Sequence, residues 1–172
     1  MNEKYELLIT LVGRTLNTAS HLLDKAEAFV KERGIHEHEL LQAALAPDMF
    51  NFTRQIQIVS DNAKGYLAKL AGKDPVSMPD TESTIAELKT RIQKTKEIVQ
   101  GFSGTDFNTA DQARIAYSWL GGKHFLGKEF VEDFAIPNMF FHLSVAYAIL
   151  RNQGVQVGKM DYIGEVKLYD NN

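Results

Sequence analysis

His142 lies in the middle of the most apolar stretch of the chain, Pro137–Gly154, which reads PNMFFHLSVAYAILRNQG. In the central part of this stretch only His142 and Ser144 are polar, so a helix here would be apolar on every side and enclosed by its neighbours. A buried imidazole needs hydrogen-bond partners, because an unsatisfied buried polar group costs about 1–3 kcal/mol. Asn138 lies one helical turn earlier on the same face. His142 and Asn138 therefore predict a polar site inside the protein.

A second long helix can supply a further partner for His142. Gln55 falls on the flank of the apolar seam of this helix, whereas Gln57 and Asp61 are predicted to face outward. Gln55 is therefore the candidate partner, and His142, Asn138 and Gln55 together form the predicted ligand pocket. The alternative is a structural hydrogen bond that fixes the packing of two helices and does no chemistry.

The other four histidines do not form a recognisable metal motif. Two of them fall in HEHE at His36–Glu39, where they are two residues apart. The zinc-protease motif needs two histidines four apart on one helical face, so this segment is predicted to be solvated surface. His21 and His124 are predicted to be structural or exposed. The chain also has no G-x-S-x-G elbow, no Walker loop, no G-x-G-x-x-G turn and no E-x-x-H pair.

Apolar residues that recur every three or four positions predict three long helices before the His142 stretch. Gly34 follows the first stripe as a C′ residue, and Thr84 and Glu87 have capping-box spacing at the start of the third. A short helix is predicted in HEHELLQAAL, between the first two. The three stripes cover residues 5–30, 49–70 and 85–102.

The period changes to two from Ala113 to Trp119, and Gly121–Gly122 separates this run from the short run KHFL. Alternation on both sides of a Gly-Gly pair predicts a β-hairpin. The His142 helix then follows as the fourth long helix. Four long helices with apolar seams favour an all-α four-helix bundle, with a small β-hairpin inserted before the fourth helix. The tail after Gly154 is predicted to pack across the bundle or at a subunit contact.

Length and composition limit the class of protein. The 172 residues suit one domain covering residues 1–172. A net charge of −3 and a pI of about 5.9 give no basic surface for nucleic acid, and the lack of cysteine excludes disulfides and thiolate metal sites. The N-terminus lacks a signal-peptide core, and the longest apolar run is shorter than the roughly 20 residues that span a bilayer. We therefore expect a cytoplasmic protein that binds neither nucleic acid nor membrane.

Three segments carry a resemblance that covers nearly the whole chain: LAPDMFNFTRQIQIVSDNAKGYLAKLAG, TIAELKTRIQKT and AYAILRNQGVQVGKMDYIG. They resemble the DinB superfamily of helical bundles, also called YfiT-like, and specifically an uncharacterised branch of it. That superfamily builds a metal site from one histidine on its second helix and an H-x-x-x-H pair on its fourth. By this resemblance His142 takes the place of the second histidine of the pair and Asn138 that of the first. Gln55, or a neighbour within a few residues, takes the place of the second-helix histidine.

The resemblance implies a degenerate metal site, because only His142 remains as a metal ligand and neutral amides bind Zn²⁺ or Ni²⁺ poorly. The leading hypothesis is a bundle without a cofactor whose pocket binds a small-molecule ligand, or which serves as a dimeric structural protein. The alternative is a thiol S-transferase or hydrolase dependent on a divalent metal such as zinc or nickel, in which water, substrate, Asp48 or Asp61 completes a site with His142. A third hypothesis is an interaction module whose hairpin and tail form a homodimer.

Overall fold

The structure, a computed structural model, describes residues 3–170 and contains the four predicted long helices. A turn at Gly34 joins the first long helix to a short one, and a loop of 14 residues, 71–84, separates the second long helix from the third. The helices are α1 (Glu3–Arg33), α2 (Glu37–Gln42), α3 (Phe52–Leu70), α4 (Ile85–Gln100), α5 (Gly127–Glu129), α6 (Ile136–Asn152) and α7 (Lys159–Ile163), and the strands are β1 (Arg114–Ala116) and β2 (His124–Leu126).

Local sequence signals fix most helix ends. Gly34 follows α1 with a φ of 63°, a left-handed conformation that costs glycine little. The Thr84 hydroxyl accepts a hydrogen bond from the Glu87 amide, and the Glu87 side chain accepts one from the Thr84 amide, so the predicted capping box is confirmed. Helix α3 begins at Phe52, later than its apolar stripe predicted, because the Asn51 side chain accepts from the Arg54 amide at 2.9 Å and caps the helix there.

The four long helices form the predicted all-α bundle. Helix α3 packs against α4 on one side and α6 on the other, and α1 packs against all three. Their apolar seams meet in one core, in which Leu16, Ile56, Leu88 and Ile149 are almost fully buried. Helix α3 therefore occupies the position from which its side chains can reach both α4 and α6.

The predicted β-hairpin is present but shorter than its sequence pattern. Strands β1 and β2 pair antiparallel over three residues each, with Ile115 opposite Phe125. A 3₁₀ turn at Ser118–Leu120 interrupts the alternation, and Gly121 and Gly122 both have positive φ at the connection. Ile115 packs into the core, whereas Trp119 in the turn is 60% exposed.

The fourth helix is longer than the sequence predicted. Helix α5, a π-helical segment (Phe130–Ala135) and α6 follow one another without a break, so 26 helical residues span Gly127–Asn152. A window of this helix has a mean hydropathy of 1.3, which makes it long and apolar enough to cross a membrane by length and composition, with 39% of the window buried inside the protein. The core helix of a soluble protein passes the same test. The prediction that no apolar run reaches that length is therefore wrong.

The prediction that α6 is enclosed on every side is also wrong. Phe141 is 54% exposed, Pro137 and Ser144 are exposed, and His142 is half-buried rather than fully inside. The reason is the arrangement of the bundle: α6 occupies a corner beside α1 and α3, so its outer side has no long helix against it. The apolar composition of α6 therefore does not determine how many of its sides are buried.

The tail after α6 forms the short helix α7 and lies across the bundle. This is one of the two placements that the sequence predicted for the tail. The Asp161 carboxylate bonds the His21 ring at 2.7 Å and lies 3.6 Å from the Lys25 ammonium, both on α1. The Tyr162 hydroxyl lies 2.9 Å from the Ser144 hydroxyl on α6. Helix α7 therefore connects α1 to α6.

Candidate functional site

Gln55 and His142 form a direct hydrogen bond between α3 and α6. Gln55 is 1% exposed, and its Oε1 lies 2.7 Å from Nδ1 of His142. The Nε2 of Gln55 donates to the carbonyl oxygen of Phe50 at 3.2 Å, which turns Oε1 toward the imidazole. Because Oε1 can only accept, Nδ1 of His142 carries the proton and Nε2 presents a lone pair. The sequence-based choice of Gln55 as the partner of His142 agrees with this geometry.

The surroundings of His142 favour its neutral form. Burial and, to a smaller extent, the positive charge of Arg54 lower the pKa of His142 below its usual value. The ring of Phe141 lies edge-on, with its centroid 5.2 Å from that of the imidazole. Within residues 3–170 no group hydrogen-bonds to Nε2 of His142. At neutral pH the half-buried ring therefore offers an acceptor beside an exposed aromatic side chain.

Asn138 pairs with a residue that the sequence interpretation placed in the apolar seam. Its Nδ2 donates to the Tyr66 hydroxyl at 2.7 Å. Tyr66 is 3% exposed, and burial raises its pKa well above the usual value, so the phenol stays neutral. The predicted trio is thus divided into two pairs between α3 and α6, Gln55 with His142 and Asn138 with Tyr66.

Gln57 does not face outward as predicted, and Asp61, whose side chain is 35% exposed, is only partly open to solvent. Gln57 is 4% exposed and donates to the Glu82 carboxylate at 2.9 Å. Asp61 accepts from Lys64 and from Arg91, each at 2.7 Å. Asp80 and Glu82 of the loop 71–84 contact Arg54 and Gln57, so the loop covers part of α3 that the helical pattern alone left open to solvent.

The residues around His142 do not fit the three-histidine metal site of the superfamily that this chain resembles. Gln55 Oε1 is already bonded to the imidazole, and the Asn138 amide is bonded to Tyr66. Asp61 is held by two cations, and Asp48 lies exposed in the loop before α3. Within the described part of the chain no group of three histidine, cysteine or acidic side chains could hold a metal ion. One imidazole and two engaged amides are a poor donor set for Zn²⁺ or Ni²⁺.

The other histidines lie where the sequence predicted. His36, His38 and His124 are exposed. His21 is also exposed and pairs with Asp161. These four side chains are therefore separate from the Gln55–His142 pair.

Sequence reasoning missed the ion-pair network around Arg91. Arg91 is 2% exposed, and its guanidinium contacts Asp61 at 2.7 Å, Asp80 at 3.0 Å and Glu82 at 2.9 Å. Its Nε also donates to the Ser60 hydroxyl at 3.1 Å. In the sequence, the one sign of this network was that Arg91 directly precedes Ile92, a residue of the apolar seam. The network holds the loop 71–84 against α3 and α4.

The fold defines an all-α helical bundle of the DinB type with a small hairpin. A crystal structure described as a DinB family member protein from Shewanella denitrificans has a TM-score of 0.90 to this chain and 38% sequence identity. The match covers 95% of this chain and 93% of that chain. No match was found among curated proteins. Residues 5–163 match the family described as Domain of unknown function (DUF1993), and the chain belongs to that family.

Proposed function

We propose that this protein binds a small ligand at the Gln55–His142 pair, on a site that has lost the metal ligands of the wider superfamily. The observation that supports the proposal most directly is the amide of Gln55, which bonds Phe50 and His142 at once. It holds Nε2 of His142 as an acceptor at the surface of the bundle. The ligand is a small molecule that donates an N–H or O–H to this nitrogen.

The exposed Phe141 ring beside the imidazole suits a ligand with a ring or another flat apolar part. Phe141 beside His142 is 54% exposed, and Phe50, whose carbonyl anchors Gln55, is 57% exposed. Aromatic side chains provide large apolar contact area, and a few placed polar groups orient the ligand. Because the pKa of His142 is lowered, the acceptor is present at neutral pH.

A fragment screen read by NMR tests this proposal. Ring-containing fragments with an N–H or O–H donor are compared with their N- or O-methylated partners, while the ¹⁵N signals of the His142 ring are followed. We expect donor fragments to shift the Nε2 signal and methylated partners to have little effect. His142→Leu should abolish the shifts that donor fragments cause in the backbone amides of Phe141 and Leu143, and His124→Leu, on the exposed hairpin, should not. If no donor fragment perturbs His142, ligand binding at this site is rejected.

Metal analysis tests the second part of the proposal. Purified protein is expected to contain no stoichiometric zinc, nickel or manganese by plasma mass spectrometry, and addition of these ions should leave the melting temperature unchanged. Near-stoichiometric metal that disappears in a His142→Ala variant would contradict the proposal. That result would instead support the alternative of a metal-dependent S-transferase or hydrolase.

Self-association is a second candidate function, and the exposed apolar side chains of the hairpin and tail favour it. Trp119 is 60% exposed, Leu168 is 83% exposed and Tyr169 is 77% exposed. A homodimer that covers these residues should give twice the monomer mass in light scattering. Trp119→Ser and Leu168→Ser should lower that mass, and Leu7→Ser, an exposed residue on α1, should not. A monomeric mass for the unaltered protein would reject this candidate.

A further inference from the structure

A cavity of about 440 Å³ lies over the outer side of α3, away from the Gln55–His142 pair. We call it the strap cavity, because the loop residues 75–78 form one wall of it. Its volume falls in the range of about 300–1,000 Å³ that is common for small-molecule sites. The lining residues are Asp61, Asn62, Lys64, Gly65, Tyr66, Lys69, Pro75, Val76, Ser77, Met78 and Tyr117.

Two polar side chains in this lining have N–H groups that lack hydrogen-bond acceptors within the described residues. Lys64 is only 5% exposed, and its ammonium, which has three N–H donors, bonds a single acceptor within the described residues, Asp61 at 2.7 Å. Asn62 has a buried Nδ2 with no hydrogen-bond partner within residues 3–170. Unsatisfied buried donors are destabilising, and charged ones more so. Acceptor oxygens from a ligand would remove this unfavourable state.

The charges along the strap cavity favour an anion. The one carboxylate in the lining, Asp61, is shared between Lys64 and Arg91. Lys69 makes no ion pair within the described residues, and its ammonium lies 4.9 Å from the centroid of the Tyr117 ring. The lining therefore presents two ammonium groups against one carboxylate, an excess of one positive charge. An anionic ligand group would balance this excess of positive charge.

Apart from Ser77 and the tyrosine hydroxyls, the rest of the lining is apolar, which suits an organic molecule rather than an inorganic ion. Pro75, Val76 and Met78 line it from the strap, and Tyr66 and Tyr117 also belong to the lining. Burial raises the pKa of Tyr117 to about 12 and that of Tyr66 higher still, so both phenols are neutral. They add no negative charge that would repel an anion.

The strap is held in place by the ion pairs beyond its end. Asp80 contacts Arg54 and Arg91, and Glu82 contacts Arg91 at 2.9 Å and accepts from Gln57 at 2.9 Å. The wall formed by residues 75–78 is thus anchored through residues 80 and 82 to α3 and α4. A wall fixed before binding lowers the entropy that binding must overcome.

We propose that the strap cavity binds a small organic carboxylate with an aromatic or aliphatic body. Its carboxylate accepts hydrogen bonds from the ammonium groups of Lys64 and Lys69 and from the Asn62 amide. Its apolar body lies against Val76, Met78 and the tyrosine rings. The site is independent of the proposed ligand site at His142, which does not line this cavity.

Benzoate is the probe, and benzamide, of the same shape without the charge, is its control. Binding is followed by the ¹H–¹⁵N signals of the Asn62 side-chain amide, identified by their loss in Asn62→Ser. We expect benzoate to shift these signals and Lys69→Met to weaken the affinity about tenfold, since a charge-assisted hydrogen bond is lost. Lys64→Met should weaken it at least as much, and it leaves Asp61 paired with Arg91. Lys31→Met, on the exposed end of α1, should leave the affinity unchanged.

The outcomes separate this proposal from its alternatives. Benzamide binding as tightly as benzoate would reject the anionic group. Phosphate binding as tightly as benzoate would reject the organic body, and no shift of the Asn62 signals with benzoate would reject the site. Unchanged affinity in Lys69→Met, with a circular dichroism spectrum like that of the unaltered protein, would also overturn it. His142→Leu should retain benzoate binding, so failure of the proposed function does not affect this test.

Discussion

A single amide determines what the imidazole of His142 can do. Gln55 donates to the Phe50 carbonyl and accepts from Nδ1 of His142, so neither ring orientation nor tautomer is free to vary. The remaining nitrogen is an acceptor that water or a ligand can reach. A carboxylate in place of this amide would favour the charged imidazolium, and an apolar residue would leave Nδ1 without a partner.

Gln55→Glu is predicted to raise the pKa of His142. In the unaltered protein that pKa is lowered by burial and by Arg54, so the unfolded state binds a proton more readily. The free energy of unfolding should then fall as pH decreases below about 6.5, the usual value for histidine. In the Gln55→Glu variant the pKa of His142 should exceed that value by about one unit or more, so protonation of His142 should increase stability as pH falls toward about 6.5 and add nothing further below it.

The measurement is an NMR titration of the His142 ring signals between pH 4 and 9, together with urea unfolding at pH 5 and 7. The exposed His124 gives an internal reference in the same spectra. The variant Gln93→Glu, which places a new carboxylate on the exposed side of α4, is the matched control and should leave His142 unaffected. Equal midpoints for His142 in the unaltered protein and in Gln55→Glu would contradict this account.

At the residue scale, helical spacing predicted one pair and missed the other. Gln55 was found because it flanks an apolar seam and is polar, so it needs a partner. Tyr66 was interpreted as a seam residue, since a tyrosine at helical spacing gives no sign of where its hydroxyl points. The orientation of Gln57 could not be predicted, because its partner Glu82 lies in a loop that returns to α3, and that of Asp61 could not, because its partner Arg91 lies on α4.

The first residue of helix α5, Gly127, lies in a close contact with the turn at Ala110–Gln112. Gly127 lies so near the turn at Ala110–Gln112 that a Cβ atom there would overlap the Ala110 carbonyl oxygen and lie 3.1 Å from Leu70 Cδ2. A backbone oxygen cannot move aside as the end of a flexible side chain can. The helix that carries Asn138 and His142 therefore begins where only glycine fits.

Gly127→Ala is predicted to destabilise the protein by about 2–3 kcal/mol, the upper part of the usual range for overpacking. The matched control is Gly13→Ala, within α1, where a Cβ would meet nothing within 4 Å. That change should stabilise the protein by up to about 1 kcal/mol, because alanine is more favourable than glycine in a helix interior. Urea unfolding of both variants measures these differences. Similar stability for the two variants would contradict the packing argument.

At the scale of the elements, the sequence predicted which helices and strands exist, and in which order, better than it predicted what surrounds each of them. The capping box at Thr84 and the C′ residue Gly34 are local signals, so the corresponding ends were predictable. The join of α5 to α6 through the π-helical segment Phe130–Ala135 was not, since the residue types there do not reveal where the backbone hydrogen bonding changes. Whether α6 is enclosed depends on how many helices surround it, which its own composition does not determine.

At the scale of the whole molecule, the tail joins two helices that are far apart in the sequence. Thr18 donates to the Tyr162 carbonyl at 3.1 Å, and Arg14 donates to the Ile163 carbonyl at 3.2 Å. Asp161 adds the bond to His21, and also accepts from the Gly158 amide at 2.7 Å. The sequence of the tail has no strong period, and the structure forms only the short helix α7 within it. Its contacts with α1 join residues about 140 or more positions apart, so the sequence pattern could not predict them.

Asp161→Asn is predicted to weaken the packing of α7 against α1 and to remove the dependence of that packing on acidic pH. The bond from His21 and, after it, the bond from the Gly158 amide lower the pKa of Asp161 to about 2. A lowered carboxyl pKa means that its contribution to docking is complete above about pH 4, the usual value for aspartate, and is lost as pH falls toward 2. Hydrogen exchange of the amides at residues 158–164 should therefore accelerate over this interval in the unaltered protein. In Asp161→Asn exchange should be fast already at pH 6 and show no such step.

The control for this measurement is Asp24→Asn, which removes an exposed carboxylate of α1 that pairs with Lys89 and lies outside the contact with α7. Its exchange at residues 158–164 should match that of the unaltered protein, because none of the bonds to the tail is changed. Two backbone carbonyls of the tail, those of Tyr162 and Ile163, keep their donors on α1 in both variants. Slow exchange at residues 158–164 in Asp161→Asn would therefore show that these two bonds hold the tail without the carboxylate.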